Sequence, residues 1–257
     1  NKRPLFIFMK NCIPVFLTDK KWEQGRKLIF NNIKDSYLSI DERFSESLHS
    51  KIPYANALYE HQKDAVKTML LRRHNLLSFE QGLGKTVTSI TVALMMHSKK
   101  TLILSPSICK WNWYDELIKW GIPKSQITMI DSRKGISSED ERFIVCNYDL
   151  LRTRMTEISD PDIDHIILDE CHYIKNTKSK RYMGVASLAT ISNAKISMLT
   201  GTPIKNKVDD MYSYLKLSKH PLGLSYMSFI ERYTYFHEGD WGIKIRKGKN
   251  LNELSSL

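Results

Sequence analysis

The sequence predicts an α/β protein built on a parallel sheet with helices on both faces. Short, near-continuous apolar runs recur at residues 76–79, 101–104, 127–130, 143–146, 166–168 and 196–199, and segments of helical spacing separate most of them. Strands buried on both faces read this way, whereas strands with one wet face alternate apolar and polar residues. A second observation agrees with the first. Glycine-bearing or acidic motifs follow directly on these runs, and in open parallel sheets ligands bind beyond the carboxyl ends of the strands.

The chain has 257 residues, 42% of them apolar, enough for a full core with additions. We divide it into an N-terminal α+β extension (1–52), a nucleotide-binding lobe (53–206) and a helical protrusion (207–257). Lysine and arginine number 39 against 28 acidic residues, a net charge of +11 that favours a polyanionic partner, nucleic acid before an anionic membrane. No apolar run approaches the ~20 residues that span a bilayer. The cysteines (Cys12, Cys109, Cys146, Cys171) are scattered without a C-x-x-C pair, which suits reduced thiols and an intracellular setting, cytoplasmic or nuclear according to the host.

In chain order, residues 5–8 and 13–17 read as strands, 22–33 as a helix or strand, and 41–48 as helical. Ala65, Val66, Met69 and Leu70 define one face of a helix that begins near Gln62. Gln62 has two readings, a surface glutamine or an amide that reads an adenine edge by donating and accepting at once. The run at 76–79 enters Gln81-Gly82-Leu83-Gly84-Lys85-Thr86 and then a helix to about residue 97. Trp111, Trp113 and Trp120 lie on an aromatic helix after Ser105-Pro106, and their spacing favours core packing over base stacking. The strand at 143–146 precedes Asn147-Tyr148-Asp149-Leu150-Leu151-Arg152, read as opening a helix. The strand at 166–168 runs into Asp169-Glu170-Cys171-His172. Residues 179–190 are helical, and 196–199 ends at Thr200-Gly201-Thr202-Pro203. The stretch from Trp241 to Lys249 carries Lys244, Arg246, Lys247 and Lys249, and reads either as a solvated basic hairpin or as a DNA contact.

The glycine loop and the acidic pair carry the chemistry. Gly82 and Gly84 let the backbone approach an anion, and the following helix N-terminus offers N–H groups and a positive dipole end. Lys85 can reach outer phosphates and Thr86 can hold Mg²⁺. The strict pattern has a further glycine where this chain has Phe79, so the match is the relaxed GxGKT form. Asp169 at a strand end can hold Mg²⁺, and Glu170 can orient the water that attacks a γ-phosphate. His172 is positioned to couple this pair to Thr200 and Gly201.

Taken in order, these residues resemble the first RecA-like lobe of superfamily two helicases, and within them the Swi/Snf-type DNA translocases. Gln62 is similar to the family's adenine-reading glutamine, and Gln81 through Thr86 to the GLGKT form of motif I. Leu104-Ser105-Pro106 with Trp111-Asn112-Trp113 resembles motif Ia, and Asn147 through Leu151 motif Ib. Asp169-Glu170-Cys171-His172-Tyr173-Ile174-Lys175-Asn176 resembles motif II, with Cys171 where alanine is usual. Leu199-Thr200-Gly201-Thr202-Pro203-Ile204-Lys205-Asn206 resembles motif III. The resemblance spans roughly residues 58–257. It implies ATP and Mg²⁺ as cofactors and Lys85, Asp169 and Glu170 as the hydrolytic centre. Gln62, Gln81, Gly82, Leu83, Gly84, Thr86 and His172 would complete the nucleotide site, with Thr86 and Asp169 on the metal. It further implies duplex DNA as partner, met by Ser105, Lys110, Asn147, Tyr148 and Thr202 through phosphates rather than bases. The family's motor pairs this lobe with a second one bearing an arginine motif, which is not in these 257 residues. We therefore expect a fragment of a larger ATPase that hydrolyses poorly alone. The alternatives are an annealing or strand-separating enzyme on forked or single-stranded DNA, and a non-hydrolysing scaffold.

Overall fold

The structure, a computed structural model, describes residue 52 and residues 55–131, 140–202, 207–239 and 242–255. The elements expected before residue 52, and Cys12, lie outside the described residues, as do Pro203, Ile204, Lys205 and Asn206. Six strands form one sheet in the order β1-β6-β5-β2-β4-β3, every neighbouring pair parallel. They are β1 (His74–Leu77), β2 (Lys100–Ser105), β3 (Ile127–Met129), β4 (Phe143–Asn147), β5 (Ile163–Leu168) and β6 (Lys195–Leu199). Helices α1 (Glu60–Leu70), α2 (Lys85–Met95), α3 (Lys110–Lys119), α4 (Met155–Ile158) and α5 (Lys180–Ser192) lie between or before them.

Strand residues alternate between two cores, as the period of two requires. Leu102, Leu104, Ile144, Cys146, Ile166, Leu168, Ile196 and Met198 face one side, where Tyr182, Val185 and Leu188 of α5 cover them. Leu77, Ile103, Val145, Ile167 and Leu199 face the other, under Ala65, Val66 and Met69 of α1, Ile90 of α2, and Trp113 and Leu117 of α3. Both faces are dry, which is why the strands read as unbroken apolar runs.

Two elements differ from expectation. The first strand ends at Leu77 rather than Phe79, because the chain turns out of the ladder at Ser78 while Phe79 stays wholly buried beneath the loop. Burial, not pairing, made Phe79 look like strand. After β4 the chain makes a 3₁₀ turn (Tyr148–Leu151), whose Leu150 N–H donates to the Asn147 side chain at 3.0 Å, before the single-turn α4. The cap favours a tight turn over a long helix.

The strand order positions the site. β6 lies between β1 and β5, with Leu77 opposite Leu199 and Leu168 opposite Met198. The glycine loop, Thr200-Gly201 and Asp169-Glu170 therefore leave the sheet side by side. Beyond β6 come α6 (Asp210–Leu217), α7 (Tyr226–Tyr233), an antiparallel ribbon of β7 (Thr234–Gly239) and β8 (Gly242–Gly248), and α8 (Leu251–Ser255). Met211, Tyr214, Leu215, Phe229, Tyr233 and Leu254 join the core on the α5 side of the sheet, so this segment is mixed helix and ribbon packed onto the lobe. Among the described residues no helix is long and apolar enough to cross a membrane.

His165 on β5 is fully buried, its Nε2 2.8 Å from Ser197 Oγ, and burial holds its pKa down at about 3. His74, at the start of β1, is held down at about 4 by burial and then by neighbouring cations. An imidazole kept neutral in the folded state contributes stability that is complete above about 6.5 and is lost as pH falls, by about 1.4 kcal/mol per pH unit per histidine. We expect the urea midpoint to fall as pH goes from 6.5 to 4.5, and His165→Gln to flatten that dependence. A profile unchanged by the substitution would show that His165 does not report on folding.

Candidate nucleotide site at the carboxyl edge of the sheet

The loop after β1 has the shape that its glycines allow. Gly82 and Gly84 both adopt positive φ, +86° and +83°, a region that costs other residues energy. At Gly84 a Cβ would also lie 2.2 Å from Gln62 Nε2, whereas at Gly82 no atom lies within 4 Å of one. Gly84 is thus fixed by packing, and Gly82 borders open space. Gly84 is the N-cap of α2 and supplies no side-chain cap, so the first-turn N–H groups of α2 have no intrahelical acceptor. Such a terminus suits an anion. Gln81 on the loop is exposed, and Thr86 is the second residue of α2, partly accessible.

Lys85 folds back over the loop. Its Nζ donates to Phe79 O at 3.1 Å and to Glu80 O at 3.5 Å, and a Cβ on Gly201 would lie 3.8 Å from it. The motif after β6 therefore lies against the phosphate loop, and its Thr200 N–H donates to Leu77 O at 3.2 Å. Gln62 is buried rather than a surface glutamine. Its Oε1 accepts from Tyr59 N at 3.0 Å, its Nε2 donates to Leu83 O at 3.1 Å, and the neighbouring His61 Nε2 lies 3.2 Å from the same carbonyl. The side chain ties the start of α1 to the loop.

Asp169 follows β5 and is nearly buried. The Trp113 indole N–H donates to Asp169 Oδ2 at 2.9 Å, the Glu170 N–H donates to Oδ1 at 3.0 Å, and the Tyr148 hydroxyl donates to the Asp169 carbonyl at 2.8 Å. Burial pushes the Asp169 carboxyl above the usual carboxylate range; the Trp113 bond opposes this, the Glu170 charge adds to it, and Lys85 opposes it. Glu170 sits at φ +47°, a conformation that costs a non-glycine residue of order 1–3 kcal/mol. The Tyr173 N–H donates to its carbonyl at 3.0 Å. Its Oε2 lies 3.2 Å from His172 Nδ1, and Tyr173 in turn stacks on Tyr148. Cys171 is fully buried and burial pushes its thiol up, so at this position it is an inert packing residue.

Lys85, Thr86, Asp169, Glu170 and His172 thus border one edge, with Gln62 beneath the loop. A carboxylate, a helix terminus, a lysine and a hydroxyl together suit a Mg²⁺-bound polyphosphate. The positions assigned to DNA divide differently. Thr202 is exposed. Ser105 is buried and bonds Pro106 O, and Asn147 caps its own turn. Tyr148 lies under Asp169, and Lys110 is buried with its Nζ on Ile130 O at 3.0 Å and Asp131 at 3.3 Å. These four support the loops from within. Trp113 and Trp120 are core residues, as helical spacing suggested, and Trp111 remains about half exposed. Sequence reading missed the second task of Trp113. The available signal was chemical, since a buried indole N–H requires an acceptor.

A family model described as SNF2-related domain matches residues 61–244. The chain is 27% identical over 202 residues to the SWI/SNF-related matrix-associated actin-dependent regulator of chromatin subfamily A-like protein 1 of Xenopus laevis, covering 76% of this chain and 20% of that protein. It is 28% identical over 212 residues to the DNA annealing helicase and endonuclease ZRANB3 of Bos taurus, covering 76% and 19%. The chain thus spans about a fifth of these relatives. Among solved structures, the Sulfolobus solfataricus SWI2/SNF2 ATPase core in complex with dsDNA superposes with a TM-score of 0.58 at 28% identity, over 68% of this chain and 38% of that one. The Pyrococcus furiosus Hef helicase domain shares the fold at 16% identity and a TM-score of 0.54, over 66% and 39%.

Trp113→Phe keeps the ring's bulk and removes the bond to Asp169. Asp169 then loses the donor that orients Oδ2 and takes up a proton more readily, so Mg²⁺-dependent binding of an ATP analogue should weaken severalfold. With its lowering partner gone, the Asp169 carboxyl titrates higher. The pH at which Mg²⁺-dependent binding is half-maximal should therefore rise. An unshifted pH profile with unchanged affinity would show that Trp113 only packs.

Proposed function

The chain belongs to the SNF2-related domain family, and from that premise we propose that it is the ATP-binding lobe of an ATP-driven motor on double-stranded DNA. The observation that carries this is the convergence of Lys85, Asp169 and Glu170 at one edge, with Gly201 against Lys85. A scaffold that had abandoned hydrolysis has no need of a strained Glu170 or of a buried aspartate held by an indole.

In this reading the first-turn amides of α2 receive the phosphates, and Lys85 moves from Phe79 O to the outer ones. Thr86 and Asp169 would hold Mg²⁺, which would supply charge neutralisation at the phosphates. Trp113 holds Oδ2 of Asp169 and the Glu170 N–H holds Oδ1, which leaves each oxygen a second lone pair for the site. Glu170, braced by His172, orients the attacking water. Gln62 exchanges its loop contact or its Tyr59 contact for the adenine edge, so base recognition and loop position are linked through one amide. A second lobe in cis would complete the site and convert its opening and closing into steps along DNA. Thr202 and the turn at the exposed Ser107 and Ile108, after β2, would meet phosphates, while Ser105, Lys110, Asn147 and Tyr148 hold those loops in place. The setting is intracellular.

The test is ATP turnover by the full-length protein, alone and with duplex DNA, single-stranded DNA or RNA, beside Lys85→Ala. We expect duplex DNA to stimulate turnover several-fold and the substitution to reduce it by orders of magnitude. Stimulation by single strands or forks alone would replace the duplex motor with an annealing or strand-separating enzyme. Flat turnover throughout would leave a scaffold.

A further inference from the structure

The β7–β8 ribbon has two unlike faces. Its inner face, with Phe236, Ile243 and Ile245, packs against the core on the α5 side of the sheet. Its base is fastened by the Tyr233 hydroxyl on Glu253 at 3.0 Å, the Asn250 side chain on Arg232 O at 2.8 Å, and the Lys249 N–H on Tyr233 O at 2.8 Å. At Gly248 a Cβ would lie 2.5 Å from Val208 and 2.9 Å from Leu251, so the ribbon is seated closely on the lobe. A lone two-stranded ribbon is marginal in water, and this packing is what holds it.

The outer face is cationic. Residues 243–249 include four lysines or arginines in seven and no acid. Lys244, Arg246 and Lys247 are exposed, and Lys249 lies over the Tyr235 ring, 5.3 Å from its centroid. Tyr235, 57% exposed, pairs in register with Lys247, and His237 with Lys244. In sequence, the acids between residues 234 and 249 are Glu238 and Asp240, both before the cationic run. Residues two apart on a strand are about 7 Å apart, about two nucleotide steps along a duplex. Cations on an open ribbon also discourage edge-to-edge pairing, but that role needs no exposed tyrosine backing a lysine.

We propose that the outer face of this ribbon binds the phosphate backbone of a nucleic-acid duplex, as a second contact separate from the loops at the carboxyl edge of the sheet. Charge complementarity selects the occupant, and a β-ribbon on a fixed base has the width to lie along or into a groove. The proposal rests on the motor reading above and adds to it a surface that does not touch nucleotide. Contact through phosphates makes it indifferent to base sequence and sensitive to salt.

The test is duplex-DNA affinity of the full chain as a function of salt, with Lys244→Ala/Arg246→Ala/Lys247→Ala. Each lost phosphate contact lowers the slope of log K against log salt by about 0.9, so the triple variant should lose roughly 2.7 in slope and at least tenfold in affinity near 0.15 M salt. Lys244→Gln and Arg246→Gln alone should each lose about one contact, which guards against misfolding of the triple variant. Lys244→Arg with Lys247→Arg should keep full affinity, and ATP-analogue binding should be unchanged in all variants. Unchanged slope and affinity in the triple variant would overturn the ribbon contact and leave the motor reading intact. A loss confined to single-stranded DNA would overturn the duplex occupant. Failure of the unsubstituted chain to bind any duplex, with nucleotide binding intact, would remove the motor reading and the ribbon contact together.

Discussion

The carboxylate of Asp169 is the point on which the site depends. It stands at the end of a strand buried on both faces, where an unpaired charge is expensive. Three donors make the position tenable: the Trp113 indole and Glu170 N–H on the carboxylate, and the Tyr148 hydroxyl on the carbonyl. Trp113 and Tyr148 come from other elements and Glu170 from the turn of Asp169 itself, so the acid is fixed by the surrounding fold as well as by its own loop. Burial still holds the carboxyl above its ordinary range. The left-handed Glu170 is the backbone counterpart, a strained turn stabilised by what surrounds it.

The phosphate loop is also supported by its neighbours. Gln62 crosses to Leu83 O, Lys85 caps Phe79 O, and Gly201 lies against both lysine and loop. These bonds occupy the groups that would serve a nucleotide, so a ligand exchanges existing hydrogen bonds for its own and does not order a slack loop. Exchange of this kind limits the net gain in affinity, and in the proposed reading it would link base recognition by Gln62 to the loop through the Leu83 carbonyl.

Much of this was legible in the sequence, for identifiable reasons. Both faces of the sheet are dry, so all six strands appeared as apolar runs, and the motifs at their ends marked the carboxyl edge. The gaps have physical causes. Phe79 is buried without being paired, which extended the first strand by two residues. Asn147 caps a tight turn where a helix was expected. Lys110 and Tyr148 were read as facing DNA because residues near a motif look functional, yet a lysine stem buries readily when its amine finds a carbonyl and a carboxylate. No spacing rule connects Trp113 to Asp169, since their contact depends on how α3 packs on the sheet beside β4 and reaches the residue that follows β5. The ribbon was visible as a basic hairpin, but its two-faced character needed the register.

The most direct measurement is a structure of the chain with Mg²⁺ and a non-hydrolysable ATP analogue. Triphosphate is expected at the N-terminus of α2, with Lys85 Nζ moved from Phe79 O to the outer phosphates. Asp169 should reach the cation while still bonded to Trp113. A nucleotide bound elsewhere, or one seated there with Lys85 still on Phe79 O and Asp169 turned from the cation, would contradict the proposed site.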